Sequence, residues 1–205
     1  KPDLTDAQNA LIKSIPLEID NKVLHTRGAL SMARSPEYPN SATTSFCFML
    51  DHAPHLNGDD TVFGQIVEGL DVLDRIGKYG ANREASSLRI QSIAIVNGGA
   101  EATNASHSLA YSSEPFKVSF LDELISCGVV PLDKSTRAVD CAALDPKMEY
   151  LHIVTGVGEI AVELYPDVAP RHVSQVKRLA DAGCYDGVAI NRIEKSFIAQ
   201  IDEVE

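Results

Sequence analysis

Residues 25–76 read HTRGALSMARSPEYPNSATTSFCFMLDHAPHLNGDDTVFGQIVEGLDVLDRI. Residues 29–34 form a short strand candidate. Residues 45–51, SFCFMLD, are almost continuously apolar, the pattern of a buried strand. Between these runs, residues 35–44 hold two prolines and an asparagine, which predicts a loop. Residues 54–60 turn around Asn57-Gly58. Residues 62–67 are a third strand candidate. Leu70, Leu73 and Ile76 mark one face of a short helix, and Gly77 is placed to end it.

Working outward, residues 1–14 are polar and suit one or two helical turns. Residues 14–19 are extended, because the residue before Pro16 is pushed toward β conformation. Residues 88–97, LRIQSIAIVN, form a strand whose isoleucines only partly alternate, which points to a bulge. From 149 the strand signals return. EYLHIVTG and GEIAVELY are joined by Gly156-Val157-Gly158, a hairpin signal. Pro170 suits the first turn of a helix. Val173, Val176, Leu179 and Ala180 give that helix an apolar stripe, and Gly183 ends it. Residues 188–193 and 197–202 are two further strands.

Residues 98–147 differ in character. A small, polar tract follows Asn97-Gly98-Gly99 and contains the glycosylation pattern Asn104-Ala105-Ser106, with no secretory context to support it. Residues 119–127 look helical: Ser119 can cap, Gly128 can close the end, and Phe120, Leu121, Leu124 and Ile125 form an apolar face. That helix packs on its own domain or docks a protein partner.

The formal charge of −11 argues against a nucleic-acid or anionic-membrane surface, since both call for basic groups. No apolar run approaches a membrane span. Cysteines at 47, 127, 141 and 184 have no metal-ligand or redox spacing and read as small buried hydrophobes. The chain starts at Lys1 with no visible targeting segment, so the compartment stays open, including an organelle reached before processing.

RGALSMAR, PNSATTSF and APHLNGDDTVFGQIVEGLDVLDRI resemble the second half of a cyclophilin, a peptidyl-prolyl cis-trans isomerase. TGVGEIAVELYPDVAP, RHVSQVKRLADAG and CYDGVAINRIEKSFIAQ resemble the first half. The halves stand in reversed order. Setting 148–205 before 1–97 gives a chain of about 155 residues, an ordinary single-domain size. The resemblance therefore implies a mainly β fold: a closed eight-stranded antiparallel barrel capped by two helices, circularly permuted. Residues 1–97 would be its C-terminal half, 148–205 its N-terminal half, and 98–147 an inserted linker longer than an ordinary loop. A window from tandem domains, halves exchanged between molecules and an unusual ordering of the pieces are the alternatives.

Rotation about an amide bond faces a barrier of about 18–20 kcal/mol. Its transition state has lost resonance, so its nitrogen is more basic. A placed donor and an apolar slot for the proline ring suffice, with no cofactor or metal. The resemblance assigns the catalytic donor to Arg192, which stays protonated and presents a fixed fork of N–H groups. It assigns substrate binding to Phe197, Ile198 and Gln200 in the same half. In the other half it assigns the groove segment Met32, Ala33, Arg34 and Ser35, together with Ser45, Cys47, His55, Leu56 and Asp60.

Several of these depart from the family pattern. Asn191 replaces a histidine and Ile190 a phenylalanine. Ser45 replaces a glutamine, Cys47 a phenylalanine, Asp60 a histidine and Arg34 an asparagine. His55 stands where tryptophan is common. Cys47 leaves the proline slot shallower, and Asp60 adds a negative charge placed to pair with Arg192. Two functions follow: an isomerase of weakened activity on X–Pro bonds, or a non-catalytic module that binds a proline-bearing polypeptide or packs into a complex.

Overall fold

The computed structural model describes residues 3–80, 88–99 and 138–204. They form eight antiparallel strands in one curled sheet, with three helices. In chain order these are α1 (Asp6–Asn9), β1 (Ala29–Met32), β2 (Phe46–Met49), β3 (Val62–Glu68), α2 (Leu70–Gly80), β4 (Ile90–Asn97), β5 (Glu149–Thr155), β6 (Gly158–Leu164), α3 (Pro170–Asp181), β7 (Ile190–Glu194) and β8 (Ile198–Ile201). Every expected strand forms. The candidate helix at 119–127, the pattern at Asn104 and Cys127 lie outside the described residues.

The sheet order is β4-β5-β6-β3-β1-β2-β8-β7. Strands from the two resembling segments are interleaved in it: β6 pairs with β3, and β8 pairs with β2. The two outermost strands also approach each other at one end. Ile90 N–H donates to the Val188 carbonyl at 2.9 Å, and Ile190 N–H donates to the Leu88 carbonyl at 2.8 Å. The bulge expected near Ile90 is present, as a register shift between Ile90 and Ser92 against β5.

Alternation decides what each face holds. In β2, Phe46 and Phe48 point into the main core, while Cys47 and Met49 join a second apolar cluster on the opposite face. That is why SFCFMLD is apolar throughout. The Phe46 ring packs edge-on against Phe48, Phe63 and Tyr185, with centroids 5.5, 5.8 and 5.6 Å apart. Each such ring pair contributes about 0.5–1.5 kcal/mol beyond simple burial.

Helix α3 shows how the segments are tied. Pro170 occupies its first turn, but Ala169 offers no side-chain cap. The cap comes from Glu18, whose carboxylate accepts from the backbone N–H of Arg171 and of His172 and lies 2.7 Å from His172 Nδ1. A carboxylate there also meets the positive end of the helix dipole. At the other end Gly183 adopts φ 68°, Cys184 N–H donates to the Leu179 carbonyl, and Gly183 N–H donates to that of Ala180. These two bonds make a Schellman closure that needs glycine's left-handed freedom.

Helix α2 corrects one expectation: it runs through Gly77 to Gly80. A Cβ at Gly77 would sit at ordinary contact distance from Leu50 Cδ1, 3.4 Å, and the residue does not take a positive φ, so nothing there ends the helix. The extended piece at 14–19 is pinned by Ile15, which bridges to Ala42. Cys47, Cys141 and Cys184 are buried, as expected of small hydrophobes. No helix among the described residues is long and apolar enough to cross a membrane.

Candidate functional site

Arg192 reaches its position through an irregularity in β7. Ile190 is fully buried in the main core. Strict alternation would send Arg192, two residues on, to the same interior face. Instead the register against β8 shifts between them: Ile190 pairs with Ile201 and Arg192 with Gln200. The extra residue, Asn191, is exposed and donates to Asp202. The shift turns Arg192 outward and leaves Ile193 against the core.

Gln200 in turn stands opposite Cys47, and Cys47 opposite Ser31. Ser31, Cys47, Gln200 and Arg192 thus form one rung across β1, β2, β8 and β7. Along it runs a hydrogen-bond chain. Arg192 Nη1 donates to Gln200 Oε1 at 3.1 Å, Gln200 Nε2 donates to Ser45 Oγ at 3.3 Å, and the Ser45 hydroxyl donates to the Ile201 carbonyl at 2.7 Å.

Beside the rung lies the second apolar cluster. Its buried members include Cys47, Met49, Val62 and Ile198, and Ala33, Leu56 and Phe197 pack against it. Five residues expected to bind substrate (Ala33, Cys47, Leu56, Phe197 and Ile198) therefore share one patch, outside the main core. His55, on a short 3-10 turn, sets its ring 5.2 Å from that of Phe197. The arrangement presents cationic donors at the margin of an apolar surface.

A family model for the cyclophilin-type peptidyl-prolyl cis-trans isomerases matches residues 2–99 and 150–205. The chain belongs to the cyclophilin family. Among its cyclophilin relatives, a probable peptidyl-prolyl cis-trans isomerase of Brucella suis is 48% identical over 48 residues, covering 23% of this chain and 24% of that one. Peptidyl-prolyl cis-trans isomerase CYP23 of Arabidopsis thaliana is 42% identical over 62 residues, 30% of this chain and 27% of its own. Peptidyl-prolyl cis-trans isomerase-like 4 of Cryptococcus neoformans is 39% identical over 74 residues, 35% of this chain and 15% of its own. The chain thus spans about a quarter or less of the length of these relatives. No solved structure matches it.

The structure corrects one electrostatic expectation for this cyclophilin. Asp60 does not pair with Arg192. Its carboxylate lies 2.9 Å from Arg34 Nε, with both side chains largely buried. Arg34 also donates to the carbonyls of Ser35, Pro36 and Asp59. The guanidinium is a brace between the groove segment and the 59–60 loop, and these bonds turn its donors inward. The partner of Arg192 is Glu194, whose Oε1 lies 2.8 Å from Nε and 2.6 Å from Nη2. Residues i and i+2 on a strand share a face, so this pairing is local.

Cys47 is chemically quiet. Burial pushes its thiol up to about 12, against the pull of Arg192 and with small additions from Asp60 and Glu194. It acts as an apolar wall of modest size.

Three further residues join the site without a signal in the sequence. Ser31 sits in the rung. His25, buried, approaches Ser31 Oγ with Nε2 at 2.9 Å and Asn57 Oδ1 with Nδ1 at 3.1 Å. An amide oxygen only accepts, so Nδ1 carries the proton and Nε2 accepts from the serine. Burial holds the pKa of His25 below its ordinary value, which favours this neutral form. Glu194 is the third. It shares a strand face with Arg192 as the i+2 neighbour, and the β7 register shift, which no run of apolar residues announces, turns that face outward.

Proposed function

We propose that the chain is a prolyl isomerase of weakened activity, with Arg192 as the donor to the twisted amide nitrogen. The observation that carries this is the placement of Arg192 and Gln200 on one rung with Cys47, beside the apolar patch of Ala33, Leu56, Phe197 and Ile198. In the proposed pose the proline ring lies on that patch. Gln200, held by Ser45, fixes the guanidinium and takes up the peptide backbone together with the groove segment Ala33–Ser35. Preorganised donors at the edge of a water-poor surface stabilise the transition state more than the planar ground state. No cofactor enters the reaction.

The barrel is proposed to be closed and circularly permuted, with 148–205 supplying its first half and 1–97 its second. The shared sheet and the Arg89–Ala189 bridge at its outer edges support this. Exchange of halves between molecules predicts a concentration-dependent dimer, and sedimentation distinguishes it from a closed monomer.

A second function, a non-catalytic module that binds proline-bearing polypeptides, is favoured by two observations. Glu194 occupies two donors of Arg192, and Cys47 replaces a large aromatic in the wall. Isomerisation of a short proline peptide, followed by NMR exchange, separates the two. Exchange faster than the uncatalysed rate supports the enzyme, and binding without acceleration supports the module.

A further inference from the structure

The Arg192–Glu194 pair sits where the proposed reaction needs a free guanidinium. Glu194 engages Nε and Nη2 through one oxygen, and Gln200 engages Nη1. Three donor nitrogens of Arg192 therefore have partners within the chain. Both side chains of the ion pair are about half exposed, 56% for Arg192 and 47% for Glu194. An exposed pair of this kind is weak and reversible, and added charge displaces it readily. The opposite face of β7 is fixed by Ile193 against the core, so the pair can open without disturbing the fold.

We propose that Glu194 is a specificity-determining residue: it masks Arg192 from peptides that are neutral beside the proline and admits those carrying a lysine or arginine there. The inference rests on the isomerase site proposed above. A neutral peptide must compete with the carboxylate for the guanidinium. A peptide cation instead offers Glu194 a second partner, so the carboxylate is compensated while Arg192 turns to the amide nitrogen. The same carboxylate attracts the cationic peptide on approach. Glu194 also lies opposite Ile198, a member of the apolar patch, so its charge stands at the rim where residues flanking the proline would pass.

The test uses the 205-residue chain and two proline tetrapeptides that differ only in lysine or alanine beside the proline. NMR exchange gives kcat/KM for each, and chemical-shift titration gives each affinity. Wild type, Glu194→Gln, Arg192→Ala and the charge control Asp74→Asn, whose carboxylate pairs with Arg27, are compared, with thermal unfolding recorded for all. Wild type is expected to favour the lysine peptide by about two- to five-fold, the worth of an exposed ion pair. In Glu194→Gln the alanine peptide should improve by a similar factor and the lysine preference should fall toward unity, while Asp74→Asn keeps the wild-type ratio. The inference stands only if both changes occur. An unchanged ratio, or an alanine peptide that does not improve, overturns it. Loss of rate in Arg192→Ala beside an unaltered Glu194→Gln overturns the inference alone. A wild type that neither binds nor turns over either peptide overturns both the inference and the proposed site.

Discussion

Gln200 Nε2 donates to Ser45 Oγ at 3.3 Å, joining residues 155 positions apart in sequence. Each belongs to a different matched segment of the chain. The hydroxyl passes the link on to the Ile201 carbonyl, so a short side chain holds the glutamine that contacts Arg192. Ser45→Ala removes this support from a buried position. It should lower catalytic efficiency several-fold and cost about 1 kcal/mol of stability, the usual worth of one hydrogen bond. Isomerisation kinetics and urea unfolding check both. An unaltered rate would separate Ser45 from the site.

Asp60 and Glu194 are both carboxylates near the rung, yet they should respond differently to neutralisation. Asp60 is held by Arg34 at 2.9 Å in a mostly buried pair. Asp60→Asn should therefore destabilise the chain by about 1–2 kcal/mol and leave Arg192 no freer than before. Chemical denaturation reads the first effect and the alanine-peptide rate reads the second. A rate increase matching that of Glu194→Gln would show that Asp60 acts on Arg192 after all.

Glu18 caps α3 from the opposite end of the chain through the N–H groups of Arg171 and His172. Glu18→Ala should cost about 1–2 kcal/mol, in the range of a lost helix cap. Glu18→Gln, which keeps an oxygen acceptor, should cost less. Equal stability of both variants with wild type would mean that residues 14–22 do not hold the helix in solution.

Two buried histidines set the acid response. Burial holds His25 and His172 below their ordinary value of 6.5, although Asn57 and Glu18 respectively pull the other way. Below about pH 6.5 the unfolded chain takes up protons that the folded chain refuses. Their contribution is therefore complete above pH 6.5 and is lost as pH falls toward the depressed folded values. The melting temperature should drop between pH 7 and 5.5. A flat or rising profile over that window would contradict the neutral, buried assignment.

Much of this fold could be read from periodicity and turn chemistry. The eight strands, Pro170 at a helix start and Gly183 at its end are local signals, and each segment carried its own. The second apolar cluster was partly legible, because SFCFMLD is apolar on both faces of a single strand. What escaped depends on register. Arg192 and its i+2 neighbour Glu194 face outward because β7 shifts against β8 at Asn191. Arg34 and Asp60 find each other across two loops whose approach no local pattern encodes. Gly77 reads as a helix stop, yet it does not take the positive φ of a closing glycine and α2 continues to Gly80. His25 and Ser31 meet because their buried polar atoms require partners, a demand that appears only once burial is known.

The most direct measurement is NMR exchange on a proline peptide with wild type and Arg192→Ala at matched concentration, after both are shown to be folded. A site in which Arg192 donates to the amide nitrogen predicts exchange above the uncatalysed rate in wild type and a loss of about ten-fold or more in the variant, as expected when a transition-state donor is removed. Equal rates for the two proteins, both at the uncatalysed value, would contradict it.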